Sequence, residues 1–554
     1  TCYFAKSLKA DELPEGEVKY LQFEGVNSSC VVYWNGKEIT KHDGGYSTFR
    51  AEIKDVKDTN LLVVAVDNSA NDRVYPQNAD FTFYGGIYRD VSLIGVNKNH
   101  FDLDYYGSPA IMVTPKIKGA DAEIEIETFF KNEDCKVRYE IIADGEVIAS
   151  KEDDDDAEFE IKNVHLWDGL KDPYLYTAKA TLICDGEEVD CVSTRFGCRT
   201  FKIDPEKGFI LNGREYPLRG VSRHQDRWGV GNALTKEMHK EDMELIKEVG
   251  ANTIRLAHYQ HAQYFYDLCD KYGMIVWAEI PYISEHMPNG RRNTFSQMKE
   301  LIVQNYNHPS IVTWGISNEI TISGRRYKKD MLDNHRALQK LCKEMDPTRP
   351  TTLACFAMCI HFNRVAHITD LVGWNLYLGW YVPGFFLNDI WIWFWHLLYP
   401  NRCLCYSEYG AEGVLGYFSD DPVQGDYSEG YQAKFHEHYI KTINAHDYIW
   451  GSYVWNMFDF GSAMRNEGGV KGRNNKGLVT FDRKVKKDSF YLYKAFWSDD
   501  KFVHLVGDRY PLRTIGEREF RVYSNCDKVT LKVNSKQKTV TAKGVFIFDS
   551  MEIK

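Results

Sequence analysis

Two apolar stretches of this sequence close on a glutamate. SIVTWGISNE ends in Asn318-Glu319, and RCLCYSEYG carries Glu408 ahead of Tyr409 and Gly410. A carboxylate closing an apolar strand is costly unless it has partners or a task. One such residue reads equally well as a member of a structural ion pair. Several polar strand ends together read differently. ANTIRLAH ends in Arg255 and His258, MIVWAE in Glu279, PLRGVSRH in Arg223-His224, and YVWNMFDF carries Trp455 and Asn456. Two carboxylates flanking one bond are what glycoside hydrolysis requires. One stays protonated, because an apolar surround raises its pKa, and donates to the leaving oxygen. The other stays ionised and attacks the anomeric carbon, with Arg255 or Tyr377 as candidate donors that keep it charged. Glu279 is a further acidic candidate.

A second chemical feature is the loop GRNNKG, where Asn474 and Lys476 stand between glycines. Glycine permits tight turns, so the loop presents short polar side chains and one cation. Taken alone it is a basic turn facing water. Beside two strand-end carboxylates it is a candidate specificity element. A substrate carboxylate beside an ammonium and an amide gains charge-assisted hydrogen bonds, whereas a neutral CH2OH gains far less.

Strand ends meet only if the strands are parallel neighbours. From residue 199 onward, strands alternate with helices over about 300 residues, which predicts a parallel α/β fold, most simply a (β/α)8 barrel spanning 199–498. TKEMHKEDMELIKEVG is an amphipathic helix with a glycine stop. In such a barrel, chemistry sits at the C-terminal ends of the strands. Upstream the texture is all β. KYLQFEGV, SSCVVYWNGKEI and NLLVVAVD, broken by NGK and DGG, predict a first sandwich over 1–98. AEIEIETFF, KVRYEIIADGEVIAS and YTAKATLICDGEEVD predict a second over 99–198, with DDDD at 153–156 as a solvated turn. REFRVYSN, KVTLKVN and GVFIFD return to alternation, so 499–554 reads as part of a third sandwich.

The formal charge of -11 argues against a general nucleic-acid or membrane-surface binder, because both partners are polyanions. The 13 cysteines lack zinc-type spacing and read as free thiols, Cys403 and Cys405 being small core residues of a strand. With no visible signal peptide, they point to a cytoplasmic protein. FFLNDIWIWFWHLLY, 385–399, is very apolar but too short to span a bilayer. No glycine-rich phosphate loop follows a strand, so no nucleotide cofactor is expected. His224 and His258 read as satisfied rim histidines before metal ligands, and no metal is expected.

Two sandwiches followed by a barrel with WGISNE and YSEYG resemble glycoside hydrolase family 2 along essentially the whole chain. The resemblance implies a jelly-roll sugar-binding domain, an immunoglobulin-like domain and a TIM barrel. It also implies a retaining exo-β-glycosidase with Glu319 as acid/base and Glu408 as nucleophile, Asn318 on the sugar 2-OH, and a homo-oligomer, dimer or tetramer. Within the family, WNLYLGWY with Asn375, Tyr377 and Tyr381, and Asn474-x-Lys476, are similar to the β-glucuronidases. Asn-x-Lys there binds the C6 carboxylate, Trp455 stacks on the sugar, and Asp80 and His258 reach it from the rim. Asn475 and Leu376 stand where basic residues are often found. The implied substrate is a small-molecule or oligosaccharide β-hexuronide, glucuronide before galacturonide. β-Galactosidase is the alternative, and a non-catalytic carbohydrate-binding protein a more distant one.

Overall fold

The computed structural model describes every residue except 133, 154, 155, 322–326, 420, 511, 513, 514 and 554. The centre of the acidic run at 153–156 therefore lies outside the described residues. Eight parallel strands close a barrel: β1 (Leu218–Arg223), β2 (Thr253–Leu256), β3 (Ile275–Glu279), β4 (Ile311–Asn318), β5 (Thr351–Phe356), β6 (Val372–Asn375), β7 (Leu404–Tyr409) and β8 (Ile449–Val454). All their residues except Arg219 in β1 and Phe356 at the end of β5 are buried, as expected when helices cover the outside and side chains fill the inside. Among the described residues seven α-helices pack around them: α1 (Lys236–Glu248), α2 (Gln263–Tyr272), α3 (Arg291–Asn305), α4 (Lys328–Met345), α5 (Phe386–Leu398), α6 (Glu429–Asn444) and α7 (Asp488–Trp497). Thr235 caps α1 by accepting from the Met238 N–H at 3.3 Å. The apolar run at 385–399 is α5, and among the described residues no helix is long and apolar enough to cross a membrane.

The barrel floor is sealed. Phe209 and Leu211, from the small sheet that precedes β1, pack with Trp277, Trp450, Tyr453 and Cys405 inside the N-terminal end. This leaves only the opposite mouth open for chemistry. Between β8 and α7 a hairpin, β9 (Phe460–Glu467) and β10 (Val470–Asn474), rises over that mouth.

The first sandwich stacks a four-stranded sheet on a three-stranded one around Phe23, Val32, Trp34 and Val64. A long connection after its Thr59–Asp67 strand leaves the sandwich and docks on the barrel. There Phe81 packs on the rings of His224, His258 and Tyr259. The second sandwich has its own core, including Val113, Ile124, Tyr139 and Leu182. Residues after 502 form two further small sheets around Val522, Val529, Phe546 and Phe548.

The reading of all cysteines as free thiols is corrected at one pair. Cys135 and Cys184 form a disulfide with a Cα–Cα distance of 4.4 Å. The cause is strand register. Lys136 lies opposite Ile183 in an antiparallel pair, so the preceding and following residues face each other, although 49 positions separate the two cysteines. Eleven cysteines remain free. Thiol titration of the unfolded protein should count eleven groups before reduction and two more after it. Cys135→Ser/Cys184→Ser should cost the second sandwich about 2–4 kcal/mol in denaturant unfolding, mainly by freeing the unfolded loop.

Candidate active site

The barrel places the polar strand ends on one rim, and Arg255 joins them. Its guanidinium, at the end of β2, is fully buried. Nε and Nη2 donate to the two oxygens of Glu279, each at 3.0 Å. Nη2 also donates to Asn318 Oδ1 at 2.9 Å, and Nη1 to Glu408 Oε1 at 2.8 Å and the Ser407 carbonyl at 3.1 Å. One planar cation thereby ties β2, β3, β4 and β7 together. Its face lies over Trp277, with 4.8 Å to the ring centroid. Glu279 also meets His258 Nδ1 at 2.6 Å, and it acts as a support for Arg255 and His258. Burial and then the Arg255 charge push His258 down to about 3, so it is a neutral imidazole that donates from Nδ1.

Glu408 and Glu319 stand in opposite surroundings. Glu408 accepts from Arg255 and, at its other oxygen, from the Tyr377 hydroxyl at 2.7 Å. These donors suit an ionised carboxylate. Glu319 follows β4 with φ of 49°, a left-handed backbone that turns the side chain off the strand line. Its Oε1 accepts from Asn375 Nδ2 at 2.9 Å, and among the described residues no cation touches it. Glu319 keeps part of its surface open to the cavity, yet loss of bulk water is the largest effect on it. That desolvation, then the Glu408 charge, raises it to about 8. Asn318 Oδ1 is taken by Arg255 and by Asn375 Nδ2 at 3.2 Å, which leaves the Asn318 NH2 to donate elsewhere.

The remaining wall combines three distant segments. Asp80 comes from the sandwich connection, where it accepts from Ser462 Oγ at 2.6 Å, Asn474 Nδ2 at 3.0 Å and Arg465 Nε at 2.8 Å. Burial acts to raise Asp80, but Arg465 and Lys476 outweigh it and hold the carboxyl below its usual range. Lys476, only 1% exposed, donates to Glu412 Oε1 and to the Tyr381 hydroxyl, both at 2.8 Å. Burial alone would lower its pKa; the Glu412 carboxylate raises it instead, so the ammonium is charged. Two glycines make the approach possible. A Cβ on Gly410 would lie 2.1 Å from the Trp455 carbonyl, and one on Gly477 2.0 Å from the Asp459 nitrogen.

Asp80, His258, Asn318, Glu319, Asn375, Tyr377, Tyr381, Glu408, Trp455 and Lys476 all line one cavity of about 490 Å³. That size accommodates a sugar and part of what it is attached to. The reading of Asn474 as a direct sugar ligand is corrected. It is fully buried behind the wall, holding Asp80 with its amide NH2 and the Lys476 N–H with its oxygen at 3.1 Å. Its amide thus braces the wall from inside the protein. Sequence reasoning missed Glu412 and Arg465. Glu412 lies only four positions beyond Glu408, but its partner is 64 positions away, a pairing no local pattern signals.

Comparison with known proteins gives one family. Models of glycosyl hydrolases family 2 match residues 1–97 (sugar binding domain), 110–199 and 202–501 (TIM barrel domain). A β-glucuronidase of Bacteroides fragilis is 37% identical over 562 residues, covering 94% of this chain and 78% of the relative. The crystal structure of an FMN-binding β-glucuronidase from Facaelibacterium prausnitzii L2-6 superposes with a TM-score of 0.96 at 46% identity, covering 99% of this chain and 87% of that one. A Bacteroides uniformis β-glucuronidase 2, solved covalently bound to cyclophellitol-6-carboxylate aziridine, has a TM-score of 0.92 at 31% identity, covering 100% of this chain and 71% of that one.

The contrast between the two glutamates sets a pH dependence. A carboxyl raised to about 8 holds its proton below that pH and loses it above. Cleavage of a β-glycoside that needs acid assistance should therefore fall as pH rises through about 8. In Glu319→Gln this alkaline limb should vanish from the kcat/KM profile measured, at its much lower rate, with a β-glycoside whose poor leaving group needs the acid.

Proposed function

Because the chain belongs to glycoside hydrolase family 2, we propose that it removes terminal β-linked hexuronic acids, glucuronic acid first, by double displacement. Glu408 attacks the anomeric carbon and forms a glycosyl-enzyme ester. Glu319 gives its proton to the departing oxygen, then accepts a proton from the water that hydrolyses the ester. Arg255 and Tyr377 hold the attacking carboxylate in place. The free amide NH2 of Asn318 is set to donate to the sugar 2-OH, a bond that strengthens as positive charge develops on the ring. Trp455, stacked on His258 with centroids 5.0 Å apart, offers a rigid apolar face for the ring. One solved relative is described as FMN-binding; hydrolysis is redox-neutral, so no flavin enters this reaction.

The observation that carries the choice of sugar is Lys476, a buried ammonium in the cavity wall. Two of its protons go to Glu412 and Tyr381, and the third is available to a ligand. A C6 carboxylate satisfies it, whereas a hydroxymethyl group leaves a desolvated charge poorly matched. The relatives named as β-glucuronidases, one of them bound to a carboxylate-bearing inhibitor, support this choice. One feature favours the β-galactosidase alternative: Lys476 already has an acidic partner in Glu412, as a simple loop brace would.

Rates on nitrophenyl β-glucuronide, β-galacturonide and β-galactoside separate the readings. Glucuronide should lead. Lys476→Ala should lower its kcat/KM by about 30- to 100-fold, the worth of one charge-assisted hydrogen bond, and leave galactoside turnover nearly unchanged. Faster galactoside turnover in the wild type would favour the alternative. Glu408→Ala should abolish turnover. Glu319→Ala should lose about 10²–10⁴-fold on substrates with poor leaving groups and much less on activated aryl glycosides, which need no acid.

A further inference from the structure

Beside Lys476 the wall holds a second cation that the proposed reaction does not yet use. Arg465 stands on β9 and lines the same cavity. All five of its N–H groups are engaged. Nε and Nη2 contact Asp80, and Nη1 contacts the fully buried Glu412. The other two contacts are to partners of another kind. Nη1 also donates to Glu467 Oε2 at 2.8 Å, and Nη2 to the Tyr381 hydroxyl at 2.9 Å. Asp80 and Glu412 are held by further donors from Ser462, Asn474 and the Asn475 N–H. Among the described residues Glu467 has no such frame. Its side chain is 41% exposed, and it precedes the Gly468-Gly469 turn at the hairpin tip.

Among the described residues the charges around this wall do not balance for a further anion. Lys476 and Arg465 face Asp80, Glu412 and Glu467. A fourth carboxylate from the sugar would be repelled unless one of the three leaves, and Glu467 is the one without a rigid hold. The Tyr381 hydroxyl accepts from both cations, at 2.8 Å from Lys476 and 2.9 Å from Arg465, which brings them within reach of one carboxylate. We infer that Arg465 is a second uronate-recognising residue, and that Glu467 occupies it as an internal stand-in until the substrate carboxylate takes its place. Arg465 presents the planar fork that matches a carboxylate, while Lys476 supplies a point charge. Its role presupposes that the sugar carries a carboxylate, as proposed above.

The test uses two piperidine iminosugars identical except at the C6 position, one with a carboxylate and one with a hydroxymethyl group. Inhibition constants are measured for the wild type, Arg465→Gln and Glu467→Gln, with melting temperatures to confirm folding. Arg465→Gln should weaken the carboxylate ligand by about 30-fold and change the hydroxymethyl ligand by about twofold or less. Glu467→Gln removes the competitor, so it should tighten the carboxylate ligand by about threefold or more and leave the neutral one unchanged. Equal weakening of both ligands in Arg465→Gln would make the residue a tether for Asp80 and overturn the inference. So would an unchanged or weaker carboxylate affinity in Glu467→Gln, which reads the same exchange even if the arginine variant does not fold. A wild type that prefers the hydroxymethyl ligand would instead overturn the uronide reading itself.

Discussion

The buried guanidinium of Arg255 is the constraint on which the catalytic rim depends. A single planar cation, withdrawn from water, is matched by Glu279 and Glu408 and finishes its donor set on Asn318 and a backbone carbonyl. Removing Arg255 would leave two carboxylates buried without their shared cation, at a cost of about 3–5 kcal/mol. The geometry is therefore over-determined. The nucleophile candidate, the residue set to read the 2-OH and the supporting glutamate cannot move independently, because all three hang on one rigid fork. Trp277 beneath it and the sealed floor of the barrel keep that fork dry.

From this follows the division of labour between two identical side chains. Glu408 is inside the reach of Arg255, and Glu319 is outside it. Desolvation and the neighbouring anion then outweigh the Asn375 hydrogen bond and the more distant Arg255 charge at Glu319, so it keeps its proton into the alkaline range. Glu408 lies within β7, whereas Glu319 follows the end of β4 in a left-handed turn. Asn375 links the two halves by donating to Glu319 and Asn318 while its own oxygen accepts from Ser407 Oγ at 2.7 Å.

The opposite wall follows another logic. Asp80, Glu412, Arg465 and Lys476 come from a sandwich connection, the loop after β7, the hairpin and the segment after β10. Their opposite charges meet only because the first domain docks on the barrel mouth through Phe81 and its aromatic neighbours. The cavity is thereby built across a domain boundary, with Asp80 and Phe81 in its lining. The cations arrive already paired with protein anions.

The periodicity of the sequence determined the two sandwiches and the alternating barrel, because period-two and period-3.6 patterns reflect which side chains each element must bury. It also determined the rim: Glu319, Glu408, Arg255 and His258 are polar residues closing apolar strands, a signal that survives without any knowledge of partners. What it left open were pairings. Cys135 with Cys184, Glu412 with Lys476, and Arg465 with Asp80 join residues 49, 64 and 385 positions apart. Asn474 looked like a ligand because its neighbour Lys476 lines the cavity, yet strand β10 turns its amide inward. Local sequence records what each element needs to form. Which charge faces which, and which side chain reaches the cavity, depends on strand register and on how the domains dock, and only the tertiary structure decides those.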